Sequence, residues 1–124
     1  MKISGKSIRA FIGAKHYNIS RSFYKDLGFK EIVTSEKMSY FYIGEFGFYL
    51  QDAYIKDWID NSMIFFEVEN LNHTLEHIDN LNLKSKYENV RLSKIVSNDW
   101  GNEFFLHDPS GVLWHFGNFE SKKN

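Results

Sequence analysis

Short apolar runs alternate with polar stretches along the chain, and their periods change in an order that occurs twice. Phe11 opens a brief β-like run, a polar break follows, and an amphipathic helix then ends near Gly28. Lys30 to Val33, Met38 to Ile43 and Phe46 to Gln51 read as short strands rich in β-branched and aromatic residues. The order restarts at Phe65. Leu71, Leu75 and Ile78 stand at i, i+4 and i+7, the core stripe of a second helix that ends near Asn82. Val90 to Val96, Glu103 to Leu106 and Val112 to Phe116 are three further strands by the same reading. Ser20 or Asn18 suits the cap of the first helix, and Asn70 or Asn72 that of the second. Asp26 and Glu31, on either side of Gly28, read as solvated turn residues.

Each half is therefore βαβββ. Phe11 to Lys30 lies on Phe65 to Lys84 without a gap, matching Phe11 with Phe65, Asn18 with Asn72, Leu27 with Leu81 and Lys30 with Lys84. The architecture repeats better than the letters do. The expectation is one domain of α+β class, with module 1 at about 7–52, a linker at about 53–61 and module 2 at about 62–118. Tyr54, Ile55, Trp58 and Ile59 suggest that the linker packs onto something.

Composition narrows the functions. At 124 residues the chain is one domain with one core. A net charge of −1 gives no electrostatic case for nucleic acid or for an anionic membrane. The absence of cysteine excludes disulfides and thiolate metal sites. No run approaches membrane-spanning length, and Met1 to Lys6 lacks an apolar leader core, so a cytoplasmic protein is expected. Aromatic residues make up 18%, with twelve Phe, seven Tyr and three Trp. Such rings fill a small core, and several of them also suit the wall of a pocket for a flat ligand.

The most specific stretch runs from Asn98 to Phe116. Phe104 to Leu106 is apolar. Asp108-Pro109-Ser110-Gly111 supplies an Asx acceptor, a fixed φ from the only proline, and a glycine that tolerates positive φ. The series Trp100-Gly101-Asn102-Glu103-Phe104, Asp108-Pro109-Ser110-Gly111 and His115-Phe116 resembles the closing hairpin of the vicinal-oxygen-chelate superfamily, which holds glyoxalases, extradiol dioxygenases and bleomycin-resistance proteins. It looks most like the bleomycin-resistance branch. With the internal repeat, the resemblance covers roughly residues 7 to 118. It implies two modules forming a curved, cup-like mixed sheet with helices on the convex side. It also implies a small-molecule ligand and a homodimer that exchanges its N-terminal segment.

In the superfamily's metal enzymes, ligands come from the first and last strands of each module. Carried over, those positions are Arg9, Tyr49 or Gln51, Met63 and His115. Arginine brings a cation where a metal needs a lone pair, and a thioether suits Mn, Fe or Zn poorly. Only His115 is a competent ligand, with Gln51 a weak second. The expectation is no metal, no other cofactor and no catalytic residues, and a protein that binds rather than transforms. The alternative is a divergent metal-dependent glyoxalase- or dioxygenase-like enzyme using His115 with Gln51 or Tyr49. His73 and His77, four apart on the second helix, read as polar residues beside its core stripe. His16 and His107 read as turn or rim residues.

Strand alternation then sorts the faces. With His115 in the cup, Leu113 joins it, while Val112, Trp114 and Phe116 face the helices. Arg9, Phe11, Tyr49, Gln51, Met63, Phe65 and Glu67 share the cup. Ile8, Ala10, Ile12, Phe48, Leu50, Ile64, Phe66 and Val68 lie behind it. In bleomycin-resistance proteins, the tryptophan matching Trp100 helps form the drug crevice by stacking. Arg9 suits an anionic or carbonyl-bearing ligand better than a cationic drug.

Overall fold

The structure, a computed structural model, describes residues 2–119. Residues 2–10 carry no regular structure and are exposed. Module 1 follows with β1 (Phe11–Gly13), α1 (Tyr17–Leu27), β2 (Lys30–Ser35), β3 (Met38–Ile43) and β4 (Phe46–Gln51). A short helix, α2 (Lys56–Asp60), leads to module 2. That module has β5 (Met63–Glu67), α3 (Leu71–Asn80), α4 (Leu83–Lys86), β6 (Arg91–Leu92), β7 (Val96–Asn98), β8 (Gly101–His107) and β9 (Leu113–Asn118).

The two modules build two mixed sheets with matching topology. The first has the order β1-β4-β3-β2, and the second β5-β9-β8-β6 with β7 also on β8. In each, the opening strand pairs parallel to the last one, β1 with β4 and β5 with β9. The intervening helix makes the crossover that a parallel pair requires. The other pairings are antiparallel.

Within the strands alternation assigns the faces as expected, but Ile8 and Ala10, expected behind the cup with the core, precede β1 and are exposed. Ile12, Phe48, Leu50, Val112, Trp114 and Phe116 are buried. The core belongs to both modules. The Trp114 ring of β9 lies 5.7 Å from Tyr24 and from Phe29, and 5.4 Å from Phe48, all in module 1. Trp114 Nε1 donates to the Tyr24 hydroxyl at 2.9 Å, and that hydroxyl donates to Asp108 Oδ2 at 2.6 Å. The other Asp108 oxygen accepts the amides of Ser110, Gly111 and Val112, each at 2.9 Å. This is the Asx turn read from the sequence, with Gly111 at φ +107°. Burial pushes the Asp108 carboxyl above its ordinary range, and these hydrogen bonds oppose the push.

Several boundaries differ from expectation. The first helix starts earlier than Asn18 or Ser20, with His16 as its N-cap and no side-chain cap. Asn70, one of the two alternatives, caps the second by accepting the His73 amide at 2.9 Å. Val90 to Val96 is not one strand. Ser93 takes both polar groups of Phe105, its amide donating to the Phe105 carbonyl and its hydroxyl accepting from the Phe105 amide, which separates β6 from β7. The linker holds α2, whose Ile59 is buried beside Gly13 and Gly111 while Trp58 stays exposed. Glu31 is not a solvated turn residue. It sits in β2 and accepts Arg21 Nε and Ser39 Oγ, both at 2.6 Å. Arg9 precedes β1 rather than lying within it, although the Ala10 carbonyl accepts the Tyr49 amide and prolongs the pairing.

Candidate functional site

The side chains singled out from the sequence fall on the helix-free faces of the sheets, but on two different sheets. Met63, Phe65, Trp100 and His115 gather on the second; Arg9, Phe11, Tyr49 and Gln51 gather on the first. Among the described residues, no hydrogen-bonded ladder joins the two.

On the second sheet, Phe65, His115 and Phe105 form one row across β5, β9 and β8. The rings of Phe65 and His115 are stacked, and the Phe105 ring meets His115 edge-on at 5.0 Å. Trp100, between β7 and β8, meets Phe65 at 5.6 Å and Phe119 at 5.2 Å, and 37% of it is exposed. Phe65 also stacks on Phe119. Gly117 makes this arrangement possible. A Cβ there would stand 2.8 Å from Phe65 Cζ, so only glycine lets that ring lie across β9. Met63, one row away beside Leu113, is largely exposed.

The polar fixture of this face is a pair. His115 Nδ1 lies 2.8 Å from Glu103 Oε1, and Glu103 Oε2 accepts Asn98 Nδ2 at 2.9 Å. The carboxylate orients the imidazole and fixes which nitrogen it meets. Glu103 is the residue that sequence reasoning missed. Its signal was an acidic side chain two positions before Phe105, hence on the same face. On the same strand, His107 is held below the usual imidazole range by burial and by the Arg91 charge.

On the first sheet, Phe11 stacks on Tyr49 at 5.1 Å, and Arg9 Nη1 donates to the Tyr49 hydroxyl at 2.9 Å. The Arg9 guanidinium also lies 4.1 Å above the Tyr40 ring, a contact not anticipated from the sequence. Gln51 reaches only the Met38 sulfur, at 4.0 Å.

The metal of the superfamily's enzymes can be tested against these donors. His115 and Glu103 are two ligands where three or four are needed. Tyr49 and Gln51 lie on the other sheet, where the Arg9 guanidinium already holds the Tyr49 hydroxyl. Among the described residues, no group of three His, Cys, Asp or Glu side chains could hold a metal ion. The donor set does not fit such a metal. His73 and His77 lie on the outer surface of α3, apart from both faces.

Two βαβββ modules with parallel outer pairs, sharing one core, form a fold that this chain shares with solved bleomycin-binding and glyoxalase-type structures. The bleomycin-binding protein of Streptomyces verticillus, solved with copper(II)-bleomycin, superposes with a TM-score of 0.80 at 17% identity, covering 96% of this chain and all of that one. A bleomycin resistance determinant encoded on the transposon Tn5 gives 0.78 at 13% identity, with 93% and 99% covered. A lactoylglutathione lyase from Agrobacterium tumefaciens gives 0.68 at 13% identity, with 92% and 94% covered. No family model and no curated protein sequence matches the chain.

Proposed function

We propose that the chain is a metal-free binding protein that sequesters a flat aromatic small molecule. The observation that carries this reading is the Trp100–Phe65–His115 face. It offers half-exposed rings around one oriented imidazole, with no donor set for a metal. Apolar walls with sparse polar fixtures are the usual make-up of a small-molecule site. The fold shared with proteins solved with bleomycin supports the same reading. Sequestration needs only affinity, because a micromolar constant already represents about −8 kcal/mol.

The reading includes a homodimer in which residues 2–8, ahead of the Arg9 and Ala10 contacts to Tyr49, cross to the partner, bringing the first sheet of one copy toward the second sheet of the other. Its support is threefold. Ile3 and Ile8 are 97% and 100% exposed. β1 and β5 are unpaired edges. An apolar groove of about 640 Å³, lined by Ile8, Phe46, Ile64 and Phe66 among others, opens between the modules. A cytoplasmic setting belongs to the reading, and the cysteine-free composition suits it.

A thermal-shift screen of aromatic antibiotics and metabolites identifies the ligand, since a compound at a hundredfold its Kd adds about 2.7 kcal/mol of stability. Against that compound, Trp100→Ala should weaken binding by roughly 1–3 kcal/mol through lost ring contact and area. His115→Ala should cost about 1 kcal/mol, one neutral hydrogen bond. The reverse order, with about one equivalent of bound Fe, Mn, Ni or Zn in protein purified without chelator, would overturn the proposal in favour of a metal enzyme.

A further inference from the structure

We infer that the helix-free face of the first sheet selects a flat aromatic anion, with an aromatic carboxylate as the fitting class; the inference rests on the small-molecule reading above. Phe11, Tyr49 and Tyr40 stand in one row across β1, β4 and β3. Tyr42 continues the run, stacked on Tyr40 at 5.6 Å with an angle of 11° between the rings. This ladder of rings is built over Gly47. A Cβ there would stand 2.5 Å from two Tyr40 ring atoms and from the Phe41 carbonyl. Tyr40 therefore lies low on the sheet, its ring held against Gly47.

Charge on this face has one sign. Arg9 lies over Tyr40 and bonds to Tyr49. Lys30 is the register partner of Tyr42 and so shares its face. The only carboxylate within the strands of this sheet is Glu31. It is the partner of Phe41 on the opposite face, where Arg21, Lys25 and Ser39 engage it. The Arg9 guanidinium is exposed, and no carboxylate among the described residues pairs with it. It already supplies the cation that tyrosine faces attract, so a cationic ligand would meet two like charges and an occupied ring. A ring bearing a carboxylate does better. It stacks on the ladder and offers two oxygens to the planar fork of Arg9, the geometry in which arginine binds most strongly.

The test titrates the full chain with 2-naphthoate, 2-naphthol and 2-naphthylmethylammonium, following the ring resonances of Tyr40, Tyr42 and Tyr49 by NMR. Naphthoate should move these signals and bind at least about tenfold tighter than the ammonium, with the gap narrowing as salt is raised. Arg9→Gln should cut naphthoate affinity about tenfold while leaving naphthol within about twofold, and Lys30→Gln should act in the same direction more weakly. Both positions are exposed, so the variants should keep the wild-type melting temperature. If Arg9→Gln does not fold, Lys30→Gln at the sheet edge carries the test. Tyrosine shifts with equal affinity for all three probes would overturn the anion preference and leave the small-molecule reading standing. No shift from any probe would overturn the inference and count against ligand binding on this face as well.

Discussion

Tyr24→Phe removes one oxygen atom, and that atom joins the two modules. Its hydroxyl donates to Asp108 and accepts from Trp114, and all three side chains are at most 2% exposed. The variant leaves no cavity larger than the hydroxyl, so the loss is almost wholly polar. Trp114 Nε1 becomes a buried donor without a partner, and Asp108 Oδ2 a buried carboxylate oxygen without one. Each such orphan costs about 1–3 kcal/mol, with the charged one at the upper end. The sum is about 3–5 kcal/mol, a large share of the 5–15 kcal/mol that a domain of this size commands. At this length the melting temperature should fall by about 10–20 °C.

The loss should also depend on pH. The folded Asp108 carboxyl is raised by burial, and Tyr24 is one of the groups pulling it down. Losing Tyr24 raises it further. A raised carboxyl contributes stability that is full below its unfolded value of 3.8 and is lost as pH climbs through the folded value. The variant should therefore lie furthest below wild type near neutral pH and recover part of the gap on acidification. Urea unfolding of both proteins between pH 7 and pH 4.5 measures this. A difference below about 1 kcal/mol, unchanged across that range, would show that water replaces the hydroxyl and that the network is not desolvated.

Other outcomes follow from the same geometry. Burial would raise Glu31, but hydrogen bonds from Arg21 and Ser39, with the charges of Arg21 and Lys25, bring it below its usual value of 4.5. Its contribution is present above that value and lost as pH falls through the lowered one. Glu31→Gln should cost about 1–2 kcal/mol at pH 7 in urea unfolding, shrinking as pH falls below 4.5, and a pH-independent difference would contradict the assignment. Light scattering at micromolar concentration should return twice the chain mass of 14.7 kDa. Removing residues 2–8 should shift that mass toward the monomer, and a monomeric full-length chain would refute the exchanged dimer.

Much of the fold was legible because strand and helix periods are local properties. Met38 to Ile43 and Phe46 to Gln51 form strands with the bounds the pattern implies. The parity of Val112, Trp114 and Phe116 follows from alternation alone and holds in the packed core. The Asp108 turn was readable because its acceptor and donors lie within four residues of one another. What failed locally failed for a nearby reason. The first helix begins at Tyr17 although Asn18 and Ser20 are better caps in isolation, because packing buries Tyr17 and Ser20 against the core and overrides the cap preference. The site needed the tertiary structure. Glu103 meets His115 only through the register of β8 on β9, and Tyr40 meets Arg9 only through β4 lying between β1 and β3. Sequence order carries no record of which strand lies beside which. Likewise, alternation names the residues that share a face but not the sheet to which that face belongs. That is why the side chains read as one cup stand, within one chain, on two separate surfaces.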